Sequence, residues 1–357
     1  MASVERPEPT DEALRSAHAA IEYCYEQGWT DGLPVVPPLQ DLVDEFLGQT
    51  TRDPSEVLMT VRHLDRSCTV RQAAINAVMA GCKPEYFPVI VAAIDAFASG
   101  AGMVTGLLQS TTGQAEIVVV NGPIRQQLSF NCQDNIFSPG DRPNATVGRA
   151  LRLMIMNALG IRPHVFDQNT QGTSAKYTCC IAENEEDSPW EPLHVERGFA
   201  RDASTVTVQM VRSDLYVEHR GTQVPEEILL TIADSMSYAG MISQITEERI
   251  PHGAVVVMGP EHAQIIAKAG WSKWDVKRFL WENFGKTKGE LRRFGKVARD
   301  LEDNTDEVFI RTGSSPDSIL LVVSGANNAG VSTVCPSFTV GRAGIGNGTS
   351  EIRLKRD

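Results

Sequence analysis

The feature that most constrains the fold is a short unit that occurs twice: an apolar run, a Gly-Pro turn and a helical stretch. The first copy is EIVVVNGP at residues 116–123, and the second is AVVVMGP at residues 254–260. A third apolar run, SILLVV at residues 318–323, ends in a polar loop. Nearly continuous apolar strands between helices are typical of a parallel or mixed sheet that is buried on both faces. We therefore predict an α/β protein with mixed or parallel sheets, helices on both faces and duplicated βα units.

The length of the chain and the spacing of the repeated unit predict two lobes. The chain has 357 residues, which is more than one typical hydrophobic core serves, and 42% of them are hydrophobic. In this division, residues 1–20 form an N-terminal tail and the start of the first helix. Residues 21–200 form the N-terminal α/β lobe, and residues 201–357 form the C-terminal α/β lobe.

Charge and cysteine pattern limit the classes of function. The formal net charge of -12 opposes binding to the phosphate backbone of a nucleic acid. No apolar run approaches the roughly 18 residues that a membrane span requires. The seven cysteines include no C-x-x-C pair, and the N-terminus lacks the pattern of a secretory signal. We therefore expect free thiols and a cytoplasmic protein.

The densest polar stretch follows a predicted strand at residues 176–182. The end of this strand carries Glu183 and Glu185, and His194 follows after a Pro-containing loop. Ligands of open α/β sheets bind beyond the carboxyl ends of strands, and carboxylates beside a histidine can move protons. On an extended segment His194 and Glu196 share a face, as an acid/base pair or as two metal ligands. The spacing matches no strong metal motif, so we assign no metal ligand; a solvated acidic loop is the structural alternative.

Two cysteines are candidate nucleophiles. A capping box, TVRQ at residues 69–72, predicts a helix that ends at Gly81, and Cys82 lies between this helix and the next. The dipole of the second helix and the neighbouring Lys83 would lower the pKa of the Cys82 thiol. Cys180 lies in the strand that precedes the acidic stretch. For both cysteines, packing as a small apolar group is the alternative.

A second set of polar residues is suited to hold a substrate. Asp31 lies in a Gly- and Pro-rich loop, Asn144 is predicted to cap a helix, and Lys176 begins the strand before the acidic stretch. Asn121 and Gly122 form the turn of the first repeated unit, where free N–H groups at a helix N-terminus suit a carboxylate or a phosphate. We predict that these residues bind the substrate.

Five stretches of the chain resemble a widespread family of bacterial hypothetical proteins that is associated with UGSC-type (seleno)proteins. These stretches are GWTDGLPVVPP, AINAVMAGCKPEYFPVIVAA, VVVNGPI, NATVGRALRL and CIAENEEDSPWEPLHVERGF, and they lie within residues 20–285. The resemblance implies no settled reaction, and the chain itself contains no U-G-S-C-like element. It draws attention to the candidate residues inside the matching stretches: Asp31, Cys82, Asn144, Cys180, Glu183 and His194.

Together these patterns predict an enzyme of lyase or hydrolase type that uses acid/base or thiol-assisted chemistry on a small anionic organic molecule. The alternative is a non-catalytic subunit that binds a metabolite or a thioredoxin-like redox partner. The sequence identifies no cofactor, since nucleotide-binding glycine motifs are absent from it. We expect no nucleic-acid or membrane partner, and assembly into a homo-oligomer stays open. We also predict that at least three of four strand ends open onto one cleft, namely those after Val120, Ala182, Val257 and Val323.

Overall fold

The computed structural model describes residues 8–100, 108–242, 252–298, 305–337 and 347–355. The helices are α1 (Asp11–Glu26), α2 (Gln40–Leu47), α3 (Val70–Ala80), α4 (Phe87–Ser99), α5 (Ile124–Gln127), α6 (Arg142–Asn157), α7 (Leu193–Glu196), α8 (Pro225–Met236), α9 (Pro260–Lys268), α10 (Lys273–Asn283) and α11 (Lys288–Arg293). The strands are β1 (Val57–Val61), β2 (Arg66–Thr69), β3 (Ala115–Asn121), β4 (Cys180–Ala182), β5 (Thr205–Val211), β6 (Leu215–Glu218), β7 (Gly253–Met258), β8 (Gly285–Thr287), β9 (Phe309–Arg311), β10 (Ile319–Val323), β11 (Val331–Ser337) and β12 (Asn347–Glu351).

The central strands form two four-stranded sheets with the same pattern of directions. The first sheet has the order β12-β5-β3-β4, in which β3 and β4 are parallel and β5 is antiparallel to both of its neighbours. The second has the order β10-β7-β11-β6, in which β7 and β10 are parallel and β11 is antiparallel to both of its neighbours. The strands of the repeated unit, β3 and β7, therefore hold the same place in the two sheets.

Each half of the chain gives a strand to the sheet of the other half. β6 follows β5 in the chain but pairs in the second sheet, and β12 follows β11 but pairs in the first. The two lobes therefore interleave. A division at residue 200 places β5 and β12 with the second lobe, although both strands pair in the first sheet.

The two sheets pack face to face, and helices cover their outer faces. Ile117 and Val119 of β3 share one apolar cluster with Val255 and Val257 of β7. The alternate residues of the strands face outwards, against α3, α4 and α6 on one side and α8, α9 and α10 on the other. The predicted α/β class with mixed sheets is confirmed. Helices flank the pair of sheets on both sides, while the inner face of each sheet is covered by the other sheet.

Both Gly-Pro turns require glycine, because a backbone carbonyl group approaches each of them closely. A Cβ atom at Gly122 would lie 2.1 Å from the carbonyl oxygen of Ala203. A Cβ atom at Gly259 would lie 2.1 Å from that of Val331. Gly122 also has a φ of +83°, in the left-handed region that favours glycine. The repeated sequence signature thus has a steric basis in both halves.

Local sequence signals explain some element boundaries and not others. Helix α3 begins with the predicted capping box at Thr69 and ends at Gly81, where φ is +84°. The predicted strand at residues 176–182 is shorter, since regular pairing begins only at Cys180. The prediction that Asn144 caps α6 is wrong, because the helix has already begun there and Asn144 lies in its first turn.

The ends of the parallel strands meet at one edge of the sheet pair. The backbone N–H of Asn184 donates to the carbonyl group of Val323 at 2.8 Å. The Ser324 hydroxyl donates to the carbonyl group of Ala182 at 2.7 Å. Because β3 is parallel to β4 and β7 to β10, these bonds bring the four predicted ends together. Direct hydrogen bonds join the end of β4 to the end of β10 there.

Two further findings concern membrane-spanning segments and cysteines. Among the described helices, none is both long and apolar enough to cross a lipid bilayer. The seven cysteines all lie in the described part of the chain, and none of them is paired with another there.

Candidate functional site

Nine of the ten residues predicted to form one site lie in three places, and the tenth, Cys82, lies apart from them in the core. The first is a buried group at the sheet edge, which we call the carboxylate cluster: Asn121, Gly122, Glu183, Glu185 and His194. The second is a small cavity, which we call the thiol cavity, lined by Asn144 and Cys180. The third is a larger cavity, which we call the polar cavity, lined by Asp31 and Lys176.

Asn121 bridges the two carboxylates of the carboxylate cluster. Its side-chain amide donates to Glu183 Oε2 at 2.5 Å and to Glu185 Oε1 at 3.1 Å. The backbone N–H of Leu193 donates to Glu183 Oε2 at 2.8 Å, and that of Gly122 donates to Glu185 Oε1 at 2.7 Å. The end of β3 and the start of α7 therefore position both carboxyl groups.

Glu183 is the most deeply buried acid of the cluster, with no exposed surface. Burial raises the pKa of Glu183, and the charge of Lys273 and the hydrogen bonds from Leu193 and Asn121 offset this only in part. Glu183 therefore keeps its proton to a higher pH than an exposed glutamate. Perturbed carboxyl groups of this kind are typical of functional sites.

Arg125 supplies the positive charge of this region. Its side chain is 3% exposed, and its guanidinium group lies 3.1 Å from both Glu185 and Glu186. It also donates to the backbone carbonyl group of Glu183 at 2.6 Å. Hydrogen bonds from Arg125 lower the pKa of Glu186. The arginine is thus occupied by acids of the protein itself, which makes the cluster a poor place for an anionic ligand.

His194 lies in a helix, so the prediction of an extended segment around it is wrong. Because Leu193–Glu196 forms α7, His194 and Glu196 point in different directions. His194 is fully buried, with its Nδ1 atom 3.8 Å from Glu185 Oε1. Glu196 binds Lys273 at 2.8 Å instead. The structure therefore places His194 beside Glu185 and not beside Glu196.

The thiol cavity has a volume of about 280 Å³. Asn144 holds its wall together, because its side-chain amide donates to the carbonyl groups of Cys180 at 3.2 Å and of Asn131 at 3.0 Å. Cys179 and Cys335 also line this cavity. It lies where β4 meets α6 and the second sheet.

Burial keeps the candidate thiols protonated. It raises the pKa of Cys82 to about 12 and that of Cys180 well above its usual value. The Cys82 thiol donates to the carbonyl group of Thr146 at 3.3 Å inside the core. The expected lowering of the Cys82 pKa by the helix dipole and Lys83 is therefore wrong, since desolvation outweighs both. Neither thiol has the thiolate character of a reactive cysteine.

The polar cavity is larger, with a volume of about 1150 Å³. It lies between the loop that follows α1, the second half of α6 and residues 162–177. Arg152, Arg162 and Lys176 give its wall several cationic groups. Its size is sufficient for a small organic molecule.

Arg152 is a buried cation that the protein pairs only in part. Its Nη1 atom donates to both carboxylate oxygens of Glu116 at 3.0 Å, and its Nη2 atom lies 3.6 Å from Asp167 Oδ2. Its Nε atom is buried and has no hydrogen-bond partner among the described residues. A buried N–H group without an acceptor is costly, and the described residues satisfy Arg152 only in part.

Lys176 lies beside Arg152 in the same wall. Its Nζ atom is 2.7 and 2.6 Å from the two carboxylate oxygens of Asp167, and it also binds the side chain of Asn169. Burial lowers the pKa of Lys176, and repulsion from Arg152 adds to this effect, while Asp167 opposes both. Lys176 therefore releases its proton more readily than an exposed lysine.

Asp31 fixes the loop that closes one side of the polar cavity. Its two carboxylate oxygens accept bonds from Arg149 at 2.8 Å each, and Oδ1 also accepts from the backbone N–H of Leu33 at 3.2 Å. Its charge is therefore neutralised by Arg149. Asp31 shapes the cavity and leaves the cationic groups of the opposite wall to a ligand.

Sequence reasoning missed Arg152, Arg162 and Asp167. A weak signal was present for Arg152, because Glu116 and Arg152 interrupt an apolar strand and an amphipathic helix that were expected to be buried. Charged residues are rarely buried without a partner, so such interruptions indicate an ion pair.

The candidate site is described by the side chains that form these places. Within the described ranges, no group of three or more His, Cys, Asp or Glu residues is arranged to hold a metal ion. No protein-family model, curated protein or solved structure matches the chain, so its function is inferred from the geometry of these three places.

Proposed function

We propose that the chain binds a small anionic organic molecule in the polar cavity and acts on it by acid/base chemistry of the lyase or hydrolase type. The observation that carries this proposal is the set of cationic side chains in the wall of the cavity, Arg152, Arg162 and Lys176. A carboxylate or phosphate group of the ligand would accept hydrogen bonds from them. Hydrogen bonds between ionised groups are about twice as strong as neutral ones.

The charges of the wall also favour an anion. Glu116 balances Arg152, and Asp167 balances Lys176. The hydrogen bonds of Arg162 go to neutral groups, the carbonyl of Met156 and the side chain of Asn157. The wall therefore carries a surplus of positive charge.

Lys176 is the group that would move a proton on the bound molecule. Its lowered pKa makes the neutral amine more accessible near neutral pH, which general acid/base catalysis requires. Asp167 would take up part of the change in charge, since it contacts Lys176 directly. A thiol-assisted route is less favoured, because burial raises the pKa values of Cys82 and Cys180.

The acids first predicted to be catalytic belong to the carboxylate cluster, at the other end of β3. Glu116, near the start of β3, holds the arginine of the polar cavity, whereas Asn121, at its end, holds Glu183 and Glu185. We therefore assign Glu183, Glu185 and His194 no contact with this ligand.

A non-catalytic subunit that binds a metabolite or docks a redox partner is the second candidate function. It is favoured by the complete engagement of the Lys176 ammonium group by Asp167 and Asn169, which suits a fixed binding group. For either candidate we propose a cytoplasmic location, since seven free thiols fit a reducing compartment.

The experiment measures affinities for succinate, citrate and inorganic phosphate by calorimetry at constant ionic strength. Lys176→Met and Arg162→Met should each weaken binding of the best ligand by about tenfold, the effect of about 1.4 kcal/mol. Arg152 is replaced together with its partner, as Glu116→Gln/Arg152→Met, because a lone buried carboxylate would destabilise the fold.

Arg52→Met is the matched control. Arg52 also pairs with carboxylates, Asp95 and Glu56, but it lines a different groove, so the affinity should not change. Equal affinities in all variants would contradict the proposal. Exchange of ligand hydrogens in D2O, followed by NMR and lost in Lys176→Met, would support an enzyme; tight binding without exchange or turnover would support the second candidate.

A further inference from the structure

The carboxylate cluster contains buried hydrogen-bond acceptors without a donor. They are Glu183 Oε1, Asn121 Oδ1 and His194 Nδ1, and each belongs to a residue with no exposed surface. One buried polar atom left unpaired costs about 1–3 kcal/mol. Their concentration in one place indicates that a hydrogen is missing from the cluster.

The donors of the cluster are already in use. The side-chain amide of Asn121 donates to Glu183 and Glu185. His194 Nε2 lies 3.2 Å from the carbonyl oxygen of Arg201, which can only accept, so a neutral ring carries its hydrogen there and leaves Nδ1 bare. Thr205, which pairs with Asn121 across β3 and β5, has an unpartnered hydroxyl, but one hydroxyl cannot serve all the acceptors.

We propose that the carboxylate cluster is a proton-binding site, in which Glu183 is a neutral carboxylic acid in the folded protein at neutral pH. A proton on Oε1 converts this atom from an unpaired acceptor into a donor towards Asn121 Oδ1 or His194 Nδ1. Oε2 continues to accept from Asn121 and Leu193. The proton is taken from water, so no other reactant is required.

The cations around Glu183 are shared with other carboxylates and offset its burial only in part. The titratable groups around it come from the elements packed against it: Glu185 on the same loop, Arg125 on α5, His194 on α7 and Lys273 on α10. Arg125 is paired with Glu185 at 3.1 Å, and Lys273 is paired with Glu196 at 2.8 Å. The pKa of Glu183 is raised by burial and by the charge of Glu185, which agrees with this arrangement.

Infrared difference spectroscopy tests the protonation state directly. At pH 7 the wild type should show the carbonyl stretch of a carboxylic acid. This band should disappear in Glu183→Gln and persist in Glu185→Gln, the matched control at the neighbouring carboxylate. Absence of the band from the wild type, or its loss only in Glu185→Gln, would overturn the proposal.

Urea unfolding as a function of pH gives a second readout. Because the pKa of Glu183 is raised in the fold, its contribution is complete below the unfolded pKa of about 4.3 and is lost as pH rises through the folded value. The stability of the wild type relative to Glu183→Gln should therefore fall as pH rises from about 4.3 towards the folded pKa, and parallel curves would overturn the proposal. Should Glu183→Gln not fold, Glu183→Met serves in both measurements. Neither readout depends on a ligand in the polar cavity.

Discussion

The two sheets are built alike, but the chemistry at their strand ends differs. Val119 of β3 and Val257 of β7 both face the partner sheet, and each lies opposite a threonine of the next strand. Side chains on one face of a strand recur at every second residue. In the first sheet, the next residue of β3 on this face is Asn121, and Glu183 is its counterpart after the parallel strand β4. In the second sheet, the corresponding residues are Gly259 after β7 and Ser324 after β10.

This difference shows which polar groups at the strand ends the fold requires. In the second sheet the small hydroxyl of Ser324 is satisfied by the carbonyl group of Ala182 at 2.7 Å. In the first sheet, Glu183 and Asn121 are buried with unpaired atoms. Since the same strand pattern closes without a carboxyl group in the second half, the carboxylate cluster is not a requirement of the topology. The free energy lost by burying these unpaired polar atoms supports the proposed role of the cluster in proton binding.

The largest expected effect concerns Arg125, the buried cation at the strand ends of the first sheet. Arg125→Met should lower the free energy of unfolding by about 4 kcal/mol, because it leaves the largely buried carboxylate of Glu185 without its cation, while the half-exposed Glu186 adds little. Urea unfolding at pH 7 measures this loss.

Lys286→Met provides the comparison in the second half. Lys286 lies 3.6 Å from Asp234, whose side chain is 81% exposed, so the variant should lose less than about 1 kcal/mol. Similar small losses in both variants would show that Arg125 is replaceable and that the two halves do not differ in their need for charge.

The next effect concerns the Gly-Pro turn, which occurs in both halves. Gly122→Ala and Gly259→Ala should each lower the free energy of unfolding by about 3 kcal/mol, because the new Cβ atom would lie 2.1 Å from a carbonyl oxygen in both cases. Thermal and urea unfolding of the two variants give the values.

Gly221→Ala separates the effect of crowding from that of backbone conformation. Gly221 has a φ of +87°, close to the +83° of Gly122, but a Cβ there would meet nothing within 4 Å. It should cost only about 1 kcal/mol, the strain of a left-handed alanine. If only Gly122→Ala lost much stability, the two halves would differ in the packing of their backbone as well as in their side chains.

The sequence predicted the strands of the two parallel pairs, β3 with β4 and β7 with β10, and missed the antiparallel strands and the exchange of the edge strands β6 and β12. Buried strands appear as continuous apolar runs, and β3, β7 and β10 were found on this signal. β6 and β12 are short and half exposed, so their side chains carry little information about which sheet they join. The exchange of these strands depends on packing between distant segments and has no local signature.

The repeated motif also concealed a shift of register. In an alignment of the two sequences, Asn121 corresponds to Met258. In the structure, Val119 and Val257 are the residues that face the partner sheet, so Asn121 corresponds to Gly259. A shift of one residue exchanges the two faces of a strand. Three consecutive valines in each copy make the faces indistinguishable from sequence.

The candidate site was predicted only in part, for a related reason. Asp31 and Lys176 were chosen as substrate-binding residues, and both line the polar cavity. Arg152 was not chosen, because its burial and its contacts with Glu116 and Asp167 arise only where α6 packs in the folded protein.

The smallest expected effect concerns His262, a buried histidine near the strand ends of the second half. Its Nδ1 atom lies 2.8 Å from the Ser332 hydroxyl and its Nε2 atom 3.0 Å from the carbonyl group of His219. Burial lowers the pKa of His262, so the fold favours the neutral ring. Below an unfolded pKa of about 6.5, the unfolded chain binds a proton that the folded chain refuses, and stability falls by at most about 1.4 kcal/mol per pH unit.

His262→Gln should therefore flatten the loss of stability between about pH 6.5 and pH 5, measured by urea unfolding. Ser332→Ala is the control, since it removes a hydrogen bond worth about 1 kcal/mol but keeps the histidine and hence the slope. Glu183 loses its contribution as pH rises from about 4.3, whereas His262 loses its contribution as pH falls below about 6.5, so the two variants should change the slope of the stability curve in opposite directions. A change of slope in the same direction for both variants would show that the two sets of strand ends do not differ in their titration, and the contrast between the halves would no longer hold.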